Sequence, residues 1–174
     1  MKHAIGLLIL IALARPVWGA SAIGVYFDAR GNAQSREVAV GESFSFYVLA
    51  DGVSAGLKAY EFALDIDPRI QVFGRTLHGS HSFDVGSGPD NWVVGTGVCE
   101  DDSPLILVEY SAMLVTESAG LFISVEPSSP SSSLSGQPAY VPCESTTIYD
   151  FEEVSGALVN PDQQSWGAVK HLYE

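Results

Sequence analysis

Gly56-Leu57-Lys58-Ala59-Tyr60-Glu61-Phe62-Ala63-Leu64-Asp65-Ile66-Asp67-Pro68-Arg69-Ile70-Gln71-Val72 is the stretch on which the fold class turns. Tyr60, Phe62, Leu64 and Ile66 share one face with Lys58 among them, while Glu61 and Asp65 share the other. Apolar residues at every second position mark a strand with one face on a core. Asp67-Pro68 then supplies turn chemistry, and 70–73 resumes as a second strand. Upstream the same period recurs: Phe44, Phe46 and Val48 alternate with Ser43, Ser45 and Tyr47.

Working outward, the same reading predicts strands over 23–28, 37–40, 91–94, 105–115, 121–125, 139–143 and 146–151. Arg30-Gly31-Asn32, Gly41-Glu42, the run 86–90 and the run 118–120 supply turns between them. Roughly ten short strands without long helical periods fit an all-β, antiparallel two-sheet sandwich, since a parallel sheet would need helical crossovers. The Ser-, Pro- and Gly-rich run 127–138 reads as a long surface loop inside one domain.

The two ends differ from this middle. Lys2, the apolar run 4–14 and Pro16 have the form of a secretion signal, and the apolar run is too short to span a bilayer as a mature helix. Val17 and Gly19 allow a cut before Ala20; Ala20-Ser21-Ala22 is the stronger match and puts the cut before Ile23. The expected organisation is a signal peptide at 1–22, a sandwich at 23–160 and a tail at 161–174. Within that tail Ser165 caps a predicted short helix with Trp166, Val169 and Tyr173 on one side. These three residues are read either as docking on the sandwich or as a sorting handle.

An exported chain is expected to be extracellular or periplasmic, in a compartment where thiols oxidise. Cys99 and Cys143, the only cysteines, are therefore expected to form a disulfide. A metal site would need further ligands, and a catalytic thiol a nearby histidine. The chain carries 8 basic against 21 acidic residues, a formal charge of −13. Such a surface repels phosphate backbones and anionic lipids, which argues against nucleic-acid partners and against stable membrane insertion.

The quoted stretch, running through a strand into Ile66-Asp67-Pro68 and on to an apolar strand, resembles cohesin domains and their carbohydrate-binding-module relatives. Val38 to Gly41-Glu42 followed by 44–49 resembles the opening strands of the same family, so the resemblance covers the first half of the mature chain. It implies a jelly-roll or cohesin-like sandwich and a binding role. Asn91-Trp92 and the cysteine pair depart from the cohesin pattern, and the ending 165–173 resembles a tail of exported bacterial proteins.

No motif points to catalysis. His78-Gly79-Ser80-His81 offers two imidazoles on a Gly/Ser loop without an evident third ligand, and Glu100-Asp101-Asp102 and the pair Asp65/Asp67 lack a calcium-loop pattern. Neither a metal nor a cofactor is expected. A Ser/His/Asp triad need not be adjacent in sequence, and paired carboxylates across a cleft cannot be placed by spacing. Tyr47, Trp92, Phe122 and Tyr140 are the candidate ligand contacts, as aromatic platforms for a sugar or a protein; Trp92, ahead of Val93-Val94, also reads as core. The expected function is a secreted, non-enzymatic binding or interaction module with a protein or polysaccharide partner. The alternatives are a carbohydrate-binding module or carbohydrate-active enzyme, and a structural component of an envelope or extracellular assembly.

Overall fold

Alternation along the chain becomes pleat in three dimensions. The computed structural model describes residues 21–116, 120–154 and 156–159. Its strands are β1 (Ala22–Tyr26), β2 (Ser35–Glu37), β3 (Ser43–Asp51), β4 (Leu57–Ile66), β5 (Ile70–Leu77), β6 (Phe83–Asp84) and β7 (Asn91–Glu100). They continue with β8 (Leu105–Leu114), β9 (Leu121–Glu126), β10 (Ala139–Pro142), β11 (Tyr149–Asp150), β12 (Glu152–Val154) and β13 (Gly156–Val159). One sheet has the order β12-β1-β3-β8-β5. The other runs β11-β10-β4-β9-β13-β2, with β7 on the opposite flank of β4 and β6 beyond it. The fold is an all-β two-sheet sandwich.

β4 organises the second sheet. β10 pairs with its first half (Ala139↔Glu61) and β9 with its second (Ile66↔Ile123), while β7 runs along the other side (Phe62↔Trp92). β9 and β10 thus lie in line along one flank of β4, and the loop 127–138 crosses between them. Most pairings are antiparallel, yet β12 joins β1 and β13 joins β2 in parallel. These two closures tie the last described residues to the first strands, a long-range pairing that alternation alone does not reveal.

The core is a chain of aromatic rings passing from one sheet to the other. Tyr60 stacks near Phe62 (6.1 Å) and Phe62 near Trp92 (6.5 Å); Trp92 meets the edge of Tyr110 (6.5 Å), which stacks on Phe46 (4.6 Å). The Trp92 indole N–H donates to the Tyr110 hydroxyl at 2.6 Å, so the polar atoms at mid-core satisfy each other. Ile23, Val25, Val48, Leu107 and Ile123 fill the space around these rings.

Several boundaries differ from the sequence reading. The predicted strands 70–73 and 91–94 stop just before Gly74 and Gly95, but Gly74, Gly95 and Gly97 lie inside strands, where glycine admits a bulge or a close neighbour. The segment 70–73 therefore runs to Leu77 and 91–94 runs to Glu100. The predicted strand 37–40 is displaced to Ser35–Glu37, since Val38 leaves the sheet to enter the core. The last predicted strand, 146–151, divides into β11 and β12 about the buried Phe151. In β4, a bulge at Lys58 interrupts the alternation and turns Leu57 into the core, leaving Lys58 half-buried. The signal segment up to residue 20 and the tail helix with Trp166, Val169 and Tyr173 lie outside the described residues. Ala22, the final residue of the expected leader, opens β1.

Candidate functional site: the outer face of the β4 sheet

Because Tyr60, Phe62 and Leu64 face the core, Ala59, Glu61, Ala63 and Asp65 face outward. Ala59 and its neighbours Val93 and Val141 are small or short, so the face is shallow at this point. A depression of about 80 Å³ forms there, walled by Ile148 on one side and closed by Glu61 and Ser132 at the end. Beside it the tip of the Phe83 ring lies against Gly95, where any side chain would collide with the ring at 2.6 Å. Phe83, Val85 and Ile148 are 59%, 68% and 42% exposed. Three large apolar side chains on one face around a small apolar hollow form a contact surface, in contrast to scattered single exposures. Asp150 stands exposed at its rim, whereas Asp84, between Phe83 and Val85 and paired with the core residue Val94, points to the other side of the sheet.

The end wall is built by Glu61. Its carboxylate, only 4% exposed, accepts bonds from the Ser131 hydroxyl (2.9 Å), the Ser132 amide (2.9 Å), the Ser133 amide (3.0 Å) and the Ser132 hydroxyl. Asn91 adds a second tie: its amide nitrogen donates to the Ser129 carbonyl (3.0 Å) and its oxygen accepts from the Ser129 amide (2.7 Å). Asp150 takes the Ser133 and Ser135 hydroxyls (2.8 and 2.7 Å). A run whose composition reads as an open loop is thereby laid down on the sheet by three acceptors. Sequence reasoning places Glu61 on the outer face but misses its task. The available signal was a lone glutamate in a central strand of a chain with an unusually serine-dense loop.

The other end of β4 is clamped covalently. Cys99 at the end of β7 and Cys143 just beyond β10 form a disulfide, with Cα atoms 5.7 Å apart. The bridge passes over Gly56, which has φ +64°; a Cβ there would meet Cys99 Sγ at 2.8 Å and the Glu100 carbonyl oxygen at 2.8 Å. Glycine is required twice over at this position, by backbone conformation and by space.

The four candidate aromatics do not come together. Trp92 is buried in the core chain. Tyr140 packs on Phe151 (4.5 Å) and shares a hydrogen bond with Ser21 Oγ (2.8 Å). Phe122, 62% exposed, is on the outer face of β9. Tyr47 lies half-buried on the opposite sheet, where burial and then the nearby Glu109 carboxylate push its hydroxyl pKa up. Burial likewise raises those of Tyr60 and Tyr110. His78 Nε2 lies 3.6 Å from Glu109 Oε2, His81 is exposed, and Glu100 accepts the Ser80 amide at 2.7 Å. Asp65 is exposed, whereas Asp67 is gripped by the Arg69 side chain and amide, which hold its carboxyl down at about 2. Among the described residues no three His, Cys, Asp or Glu side chains converge to hold a metal, and no helix is long and apolar enough to cross a membrane.

No family model matches the chain, and no curated relative does. Solved structures do. A cohesin module from a family 33 glycoside hydrolase of Clostridium perfringens superposes with TM-score 0.59 at 11% identity, over 81% of this chain and 96% of that module. A type II cohesin domain from the cellulosome of Acetivibrio cellulolyticus gives 0.59 at 13% identity, over 82% and 96%. The sixth cohesin of scaffoldin B from the same organism, solved in complex with a dockerin, gives 0.57 at 12%, over 81% and 99%. The class is therefore that of a cohesin-like β-sandwich.

Proposed function

We propose that this chain is an exported, non-catalytic binding module that docks a protein partner on the outer face of the β4 sheet. The observation that carries the reading is the cluster of Phe83, Val85 and Ile148 around the hollow at Ala59, on a floor stiffened by the disulfide and by the Glu61-bound loop. Rigid floors favour association because little ordering is left to do on binding. Asp150 at the border and the chain's charge of −13 suit a partner with an apolar centre and a basic border. Among proteins of this fold, the scaffoldin B cohesin was solved with a dockerin, a protein ligand.

Export fits the Lys2 and 4–14 signal pattern and a disulfide suited to an oxidising compartment. Ser21 and Ala22 belong to the folded body, through the Ser21 contact with Tyr140 and the Ala22↔Asp51 pairing, which favours processing before Ala20 over processing before Ile23. The test is capture from the source organism's culture supernatant on immobilised chain, wild type beside Phe83→Arg/Ile148→Arg. A protein retained by the wild type and lost by the double variant, with circular dichroism unchanged, is expected. Identical proteins on both columns overturn the reading.

A further inference from the structure

The opposite face of the sandwich carries a second arrangement that protein docking on the β4 sheet leaves unused. A β-bulge between Val72 and Gly74 turns Phe73 onto the outer face of the five-stranded sheet, where it is 61% exposed. Beside it lies an open trough of about 410 Å³, inside the range of small-molecule sites. Its floor is hydroxyl-rich. Ser45 and Ser111 are direct cross-strand partners, Ser43 lies two residues along β3, and Tyr47 closes the far side. None of these three serine hydroxyls has a hydrogen-bond partner among the described residues. Gly74 keeps the row open, since a Cβ there would press on Ser111 at 3.2 Å.

One exposed phenylalanine is ordinary; one beside a second aromatic and three unpartnered hydroxyls is a recognition pattern. Arg36 is the one charged side chain among the residues that line the trough. Arg36 is paired with Glu42 at 3.2 Å, and outside the trough Glu109 lies near Tyr47 and 3.6 Å from His78 Nε2. A polyanion finds no free cation in the lining and no carboxylate lines it, so the trough complements an uncharged ligand rich in hydroxyls. Pyranose rings with equatorial substituents add flat C–H faces that stack on aromatics, and adjacent strands about 4.8 Å apart set the serines at intervals along such a chain.

We propose that the outer face of the five-stranded sheet, centred on Phe73, Tyr47, Ser45 and Ser111, binds a neutral β-linked polysaccharide. This site is independent of the protein-docking face, so the two stand or fall separately. The probes are hydroxyethylcellulose and glucomannan cast in native affinity gels, with polygalacturonate as the charged control, followed by titration with cellohexaose. Retardation on at least one neutral polymer and none on polygalacturonate is expected. Phe73→Ala should bind roughly tenfold more weakly, the loss of one stacked and buried ring. Ser45→Ala/Ser111→Ala should also weaken binding, and Phe83→Arg/Ile148→Arg should bind as wild type. All substituted side chains lie outside the core, and circular dichroism verifies each fold. No retardation on either neutral polymer, or retardation that Phe73→Ala and the serine double variant leave unchanged, overturns the proposal.

Discussion

At the scale of single residues, the account rests on polar atoms that are buried and satisfied. Glu61 is the strongest case, because its carboxylate offers acceptors on both oxygens to donors from three consecutive serines. Glu61→Gln replaces one oxygen with an amide that points its own hydrogens at those donors. A loss of about 1–3 kcal/mol is expected, read by urea unfolding, with faster hydrogen exchange concentrated in 128–135. Tyr110→Phe removes the acceptor of the Trp92 indole and leaves a buried N–H without a partner, at a similar cost of about 1–3 kcal/mol in the same assay. Asp67 gives a pH signature. Its carboxyl titrates at about 2 in the fold against an ordinary 3.8, held down by Arg69. The contribution is complete above pH 3.8 and is lost as pH falls through about 2. Asp67→Asn should therefore flatten the acid limb of stability against pH over that window, lower stability near neutrality and leave the pH dependence there unchanged. An unchanged acid limb would count against the pairing.

At the scale of elements, β4 is held from both flanks, and the disulfide fastens those flanks to each other. The bridge closes a sequence separation of 44 residues, which on the chain-entropy argument stabilises by roughly 4 kcal/mol. Cys99→Ala/Cys143→Ala should lower the urea midpoint while leaving the far β3–β8 pairing intact, checked by hydrogen exchange. What the sequence disclosed follows the same division. β3, β4, β8 and β9 were legible because each has one face on the core and one on solvent, so period two survives in the residues. β12 and β13 were not, since three- and four-residue strands carry too few alternations and their partners lie at the other end of the chain. The expected strands 70–73 and 91–94 fall short of β5 and β7 at Gly74 and Gly95, because a bulge and an overlying ring use the same residue type that ends a strand elsewhere. Surface sites were the least legible. Phe83 and Phe73 acquire meaning only when the fold gathers residues around them from distant strands, and neither occupies a periodic pattern that marks it out.

At the scale of the molecule, the sandwich presents two outer faces of unlike chemistry on one rigid body. The β4 face is apolar with Asp150 at its border; the trough on the five-stranded face is lined with hydroxyls and aromatic rings and by no carboxylate. A strongly acidic chain with a mainly apolar docking centre is expected to hold a basic-bordered partner less tightly as salt rises, through screening of the rim. The most direct test of the central claim is hydroxyl-radical footprinting of the chain bound to its captured partner, compared with the free chain. Phe83, Val85 and Ile148 are predicted to lose reactivity in the complex while Phe73 keeps it. Phe83, Val85 and Ile148 remaining as reactive in the complex as in the free chain would contradict the account.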